Sequence, residues 1–225
     1  MAGGGSAEGH LERARLLYER GVFDGDDAAL ATADCELDAV EADLALARGR
    51  NIHVKFLAAR DRDPDQAAED PAELPLFERA RALYQALGNT AGEADALFWL
   101  GCFHQVVRGD DATAVPLFER ALALASQAGA TGTMSEALRH LGIAAHRAGQ
   151  LDAARAHLEE SSRLRREMGL LPGVASNLIG LAYIAAAQDR RADARTLLDE
   201  ATTIATTTHA HRVLHHITEA RTNLQ

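Results

Sequence analysis

The sequence predicts an all-α fold, a stacked array of antiparallel helix hairpins, and three observations predict it. The hexapeptide Pro-Leu-Phe-Glu-Arg-Ala occurs at 75–80 and again, 41 residues on, at 116–121. Its frame continues down the chain. Ala114, Ala154 and Ala194 are 40 residues apart, as are Phe118, Leu158 and Leu198, and Gly88, Gly129 and Gly169 follow at 41 and 40. A fixed period of this size marks units that bury their apolar faces on one another. Third, the apolar residues are mainly Ala and Leu, and aromatic residues make up only 4% of the chain, a composition that favours helix over strand.

Taken in order, residues 1–9 read as a flexible leader, and 10–225 as one helical-repeat domain. Within it fall weak hairpins at 10–88, clear repeats at 90–206 and a capping helix at 208–224. Leu11, Ala14, Leu17 and Tyr18 fall at helical spacing. Gly21 and the Gly25-Asp26-Asp27 turn end that helix, and the aspartates can cap the next. Residues 27–60 contain no proline and one glycine, Gly49. They read as two helices turning near Val40, with a single long bent helix as the alternative. The Asp- and Pro-rich stretch 61–71 is a loop.

From residue 73 the pattern is regular. Helices are expected at 73–87, 92–107, 112–128, 133–148, 152–168, 173–188 and 192–206. Gly88-Asn89, Gly129 and Gly149 suit left-handed stops. Pro116 and Pro75 lie in the first turns of their helices, where a late start or a slight kink is expected. In the last stretch Val213, Ile217, Ala220 and Leu224 form one apolar stripe, as the end of a stacked array requires.

Composition bounds the function. A formal charge of −10 and a pI near 5.4 argue against broad nucleic-acid binding. Arg163, Arg165 and Arg166 cluster, but Glu159, Glu160 and Glu167 surround them, which makes a solvated mixed-charge face. The N-terminus lacks the apolar core of a secretion signal, and no apolar run approaches a membrane span. Cys35 and Cys102 have no CxxC spacing and read as reduced thiols. A soluble cytoplasmic protein is expected. Lys55 is the only lysine, which fits a GC-rich bacterial coding sequence.

Each repeat carries Leu then a small residue in its first helix: Leu100-Gly101, Leu141-Gly142, Leu181-Ala182. Its second helix carries Ala114…Phe118…Ala121, Ala154…Leu158…Ser161 or Ala194…Leu198…Ala201. Small side chains let paired helices approach, and the large ones fill the gap between hairpins. This pattern resembles the tetratricopeptide repeat, in a long-period variety similar to that of bacterial regulators. For the earlier repeat, His53 is placed at the small position. The resemblance implies a right-handed superhelical α-solenoid whose concave groove, lined by the first helices, binds a peptide or a protein surface.

The family's geometry places three positions of each first helix on that concave face. They are Phe98, Cys102 and Gln105; Arg139, Ile143 and His146; and Ile179, Tyr183 and Ala186. The earlier repeat adds Arg50, Val54 and Leu57. Each trio shares one helix face. An arginine among apolar groups suits an anion carried on an apolar body; alternatively, Arg139 pairs with Glu136 on its own helix. The lysine- and asparagine-rich carboxylate clamp of chaperone-binding relatives is absent.

Around the only tryptophan, 98–105 is the densest aromatic run. It reads as core packing or, in a sharper version, as a pocket wall of Trp99, Phe98 and Tyr183.

No Walker loop, GxSxG elbow or Rossmann glycine pattern occurs. His211 and His215 share a face without an HExxH glutamate or a third ligand, so no metal and no cofactor is expected. Cys102 with His146 would be the nucleophile–base pair to examine. The leading expectation is a non-enzymatic scaffold that binds a peptide, protein segment or small anionic or apolar ligand. The first rival is a small-molecule sensor or enzyme with a pocket around Trp99, His104 and His146. The second is a self-assembling module, a homodimer through the weak N-terminal hairpin or the 61–71 loop.

Overall fold

The computed structural model describes residues 6–224, and among them every regular element is helical. The first five leader positions lie outside the described residues. Ser6 accepts from the Gly9 amide at 3.1 Å and caps α1 (Ala7–Asp24), so the rest of the expected leader is helix. Gly21 does not end α1. The helix runs on to Asp24 and stops at Gly25, whose φ of 67° is the left-handed turn glycine allows. Asp26 then caps α2 by accepting from the Ala29 amide.

α2 (Asp27–Arg62) is one continuous 36-residue helix, so the longer of the two readings holds and no turn occurs at Val40. The physical reason lies at both ends: α1 packs on its first half, and α3 (Glu73–Ala86) also packs against it. α4 (Thr90–Cys102) starts behind Asn89, which serves as the N-cap of α4 and accepts from the Gly92 amide. The chain then widens into a π-helical segment, Phe103–Val107, before α5 (Asp111–Ala128). α5 begins ahead of Pro116 and carries it internally.

Four more hairpin helices and a last one follow: α6 (Thr131–Arg147), α7 (Leu151–Glu167), α8 (Leu171–Ala187), α9 (Arg191–Thr207) and α10 (His211–Asn223). Their turns recur every 20 residues on a left-handed residue. These are Gly129, Gly149 and Gly169, then Asp189 and His209 at φ 58° and 54°. None of the helices among the described residues is long and apolar enough to cross a membrane.

The chain divides into two compact units, Met1–Ala114 and Val115–Gln225. In the first, α1 packs on α2, α2 on α3 and α3 on α4; in the second, α6 to α10 pack each on the next. The second unit's core runs through Ala154, Leu158, Leu178, Ala182, Leu198 and Ala201, which are the repeat positions picked out by the period. Ile217 and Ala220 of the predicted terminal stripe are buried, and Val213 and Leu224 pack against that core.

Close approach decides the register of the earlier repeat. A Cβ added at Gly49 would stand 2.5 Å from the Phe77 ring, just as one at Gly142 would stand 2.9 Å from Leu158. Gly49, rather than His53, therefore occupies the small position. His53 lies one turn further on and is buried.

Candidate functional site

In the first unit, Arg50, His53 and Trp99 form one cluster. The Arg50 guanidinium lies over the Trp99 ring, 5.3 Å from its centroid, and pairs with Asp95 on α4. The His53 ring meets Trp99 edge-on, and Phe77 stacks on the indole at 5.8 Å. Phe98 closes a further side at 5.3 Å. Trp99 is thus wrapped by rings, which is the core-packing reading of its neighbourhood.

Behind it, Glu73 is fully buried in the first turn of α3, and its Oε1 lies 2.7 Å from His53 Nδ1. Glu73 Oε2, Arg50 Nε and Trp99 Nε1 are buried without hydrogen-bond partners. Tyr84 donates to Asp43 at 2.7 Å, and burial together with that carboxylate raises its pKa strongly.

Phe98, Cys102 and Gln105 are buried, with 4%, 2% and 2% of their surface exposed. A ligand would reach them only if neighbouring side chains moved. Gln105 donates to Asp111 at 2.8 Å. His104 sits in the π segment against the Phe103 ring, and its Nδ1 is buried without a partner. Burial first, and then the Arg108 charge, lowers its pKa. Arg108 itself stacks over Phe103 and pairs with Glu69 in the 61–71 stretch.

In the second unit, Arg139, Ile143, His146, Ile179, Tyr183 and Ala186 are all partly exposed. Arg139 Nη1 donates to Asn177 Oδ1 at 2.9 Å. Asn177 is fully buried and donates to the hydroxyls of Ser161 and Ser162 at 2.9 and 3.2 Å. Ser161 in turn donates to the Ser135 carbonyl at 2.6 Å. The alternative partner considered for Arg139, Glu136, pairs at 2.6 Å with the buried Arg165. Arg165 also donates to the Gly173 carbonyl. The cluster of three arginines thus splits: Arg163 and Arg166 pair with exposed glutamates, and Arg165 turns inward.

Further along α8, Tyr183 accepts from Asn223 Nδ2 at 3.2 Å. Ala186, Ala194, Leu198 and Leu224 then line a cavity of about 200 Å³ with Arg191, Arg195 and Arg221. Arg221 pairs with Asp199, while Arg195 has no ion-pair partner among the described residues. The sequence reading missed this cavity, because its arginines come from α9 and α10, outside the stripes the repeat pattern singles out. His215 pairs with Glu219, and no metal-binding cluster of His, Cys, Asp or Glu occurs among the described residues. Cys35 is exposed and Cys102 is buried, and no disulfide joins cysteines among the described residues.

Stacked helix hairpins, a small residue under each large one and, among the described residues, no strand define an α-helical repeat protein. The tetratricopeptide repeat family model matches residues 103–167, from the π segment to the end of α7. That segment resembles the tetratricopeptide repeat, whose repeats commonly serve protein interaction. No curated protein matches it.

Proposed function

We propose that this chain is a non-enzymatic cytoplasmic scaffold that holds a peptide, a protein segment or a small anionic ligand with an apolar body. The ligand lies along the α6 and α8 stripes of the second unit and reaches the cavity that Ala186 of α8 shares with α9 and α10. One observation carries this reading: the cationic stations there are guanidinium groups set in apolar walls. Arg139 is held by the buried Asn177 and shares its face of α6 with Ile143, one turn on. Arg191, Arg195 and Arg221 ring a cavity floored by alanine and leucine. A planar guanidinium in such a setting pairs bidentately with a carboxylate while the apolar wall takes the rest of the ligand. The overall negative charge disfavours nucleic acid as the partner.

The test is titration with short apolar peptides carrying a free C-terminal carboxylate, against the same peptides amidated. Arg139→Ala or Arg195→Ala is expected to abolish the preference for the free carboxylate, and Tyr183→Ala to weaken both forms several-fold. Peptide binding left unchanged by all three variants would move the site elsewhere.

A further inference from the structure

The first unit exposes an apolar face that the groove reading does not use. Of the eleven large apolar residues exposed among the described residues, nine lie on α1 and α2. On α1, His10, Ala14, Leu17 and Gly21 face α2, with His10 and Arg13 joined to Glu36 across the hairpin. At 100° per residue, Leu11, Tyr18 and Val22 stand a quarter turn to one side of that contact. On α2, Ala29 and Ala33 are the buried side, and Leu30 and Leu37 stand about a quarter turn off it. Because the two helices run antiparallel, both quarter turns bring the residues to the same flank. Leu30 lies directly over Gly21, 2.5 Å from where a Cβ would stand. Leu44 continues the row along α2, half exposed like the others.

The row has a second component. Leu30, Leu37 and Leu44 are seven apart, and three residues before each stands an acid: Asp27, Asp34 and Glu41. An apolar ridge and an acidic ridge therefore run side by side over about 20 Å of helix. Of these acids only Glu41 has a cation, Arg79, with both side chains half exposed. Asp27 and Asp34 have none among the described residues. Residues 6–44 hold eleven carboxylates and three arginines, a net −8 of the chain's −10.

That charge decides the occupant. The six apolar side chains expose on the order of 500 Å², at the upper end of what a monomer leaves open without a use for it. A second copy would set −8 against −8 around a contact of modest size, and like charges so placed oppose association. Exposed leucines at heptad spacing accept a helix by side-chain interdigitation, and the acidic ridge selects the helix's charge.

We infer that the α1–α2 flank bearing Leu11, Tyr18, Val22, Leu30, Leu37 and Leu44 is a docking surface for a cationic amphipathic helix of a protein partner. The partner helix presents an apolar heptad stripe to the leucines and lysines or arginines to Asp27, Asp34 and Glu41. Its on-rate falls as salt screens the ridge.

Fluorescence anisotropy of a labelled synthetic helix of about three heptads tests this on the full chain, with leucine on one stripe and lysine on both flanks. Two comparators accompany it: the same helix with glutamate flanks, and a scrambled lysine peptide of equal charge. The lysine-flanked helix is expected to bind at least tenfold more tightly than either. Leu30→Gln with Leu37→Gln should lower its affinity at least tenfold, with helicity by circular dichroism unchanged. Asp27→Lys with Asp34→Lys should lower it several-fold at low salt only. Arg139→Ala should leave it unchanged, which separates this surface from the α6–α8 site. Equal binding of the scrambled peptide, or unchanged binding by the leucine variants, would overturn the proposal. So would a dimer in light scattering that the leucine substitutions dissociate.

Discussion

Gly49 beneath Phe77 in the first unit and Gly142 beneath Leu158 in the second are the same contact, a bare backbone receiving the large residue of the next helix. Around that shared contact the two units treat buried polar groups differently. In the second, Asn177, Ser161 and Ser162 form a chain of hydrogen bonds that ends on two backbone carbonyls and supports Arg139, and the one buried charge beside it, Arg165, reaches out to the half-exposed Glu136. In the first, a carboxylate and an imidazole are buried against each other, and three polar atoms around them have no partner. A hydrogen-bonded amide network costs little to bury once complete, whereas a buried acid depends entirely on the one partner it has. The first unit is therefore the more vulnerable to loss of a single polar group.

The largest effect is expected where that dependence is broken. Glu73→Ala leaves His53 Nδ1 in the core without an acceptor and should cost about 4 kcal/mol in urea unfolding. Asn177→Ala should cost about 2 kcal/mol, since Ser161 and Ser162 keep their carbonyl acceptors. Glu73→Gln retains an acceptor for His53 and separates hydrogen bond from charge. If Asn177→Ala proves the costlier of the two alanine variants, the contrast between the units fails.

The glycine contacts come next. Gly49→Ala forces the Phe77 ring, which is fully buried, and should cost about 3 kcal/mol despite the better helix propensity of alanine. Gly142→Ala meets Leu158 Cγ at 2.9 Å and the Ala154 carbonyl at 3.3 Å. A leucine branch yields more easily than a ring, so about 1 kcal/mol is expected. Calorimetric unfolding of both variants checks the order, and the pair Gly142→Ala with Leu158→Ala should fall short of additivity.

What the sequence made legible was whatever repeats. The 40-residue frame located the second unit's core, because Ala154, Leu158, Ala194 and Leu198 recur in register and bury in register. The register failed at Gly49 because the connection from α2 to α3 is long: Gly49 stands 52 residues before Gly101, so the period of 40 to 41 does not carry back onto α2. The burial of Cys102 and Gln105 was hidden as well, since periodicity gives a helix's face but not the bulk of its neighbours. The arginine-lined cavity lies off the repeat positions, and the acidic ridge of α2 repeats at seven rather than forty.

The smallest expected effect concerns the turns, where the comparison lies within the second unit. Gly129, Gly149 and Gly169 take the left-handed backbone without strain, while Asp189 and His209 hold φ near 58° and 54° at the same place in the frame. A side chain in that region crowds its own carbonyl, less so for a short Asp that can bond locally than for His. His209→Gly removes that crowding but also gives the unfolded chain more freedom, so the two effects oppose. His209 is exposed, so packing contributes little, and relief of strain should win by about 0.5 kcal/mol, raising the urea midpoint slightly. Asp189→Gly should gain less than that. A loss of stability in His209→Gly would mean that the turn geometry is held by the hairpin rather than by the residue occupying it, and the 20-residue glycine frame would then be a convenience of the early turns rather than a requirement of all of them.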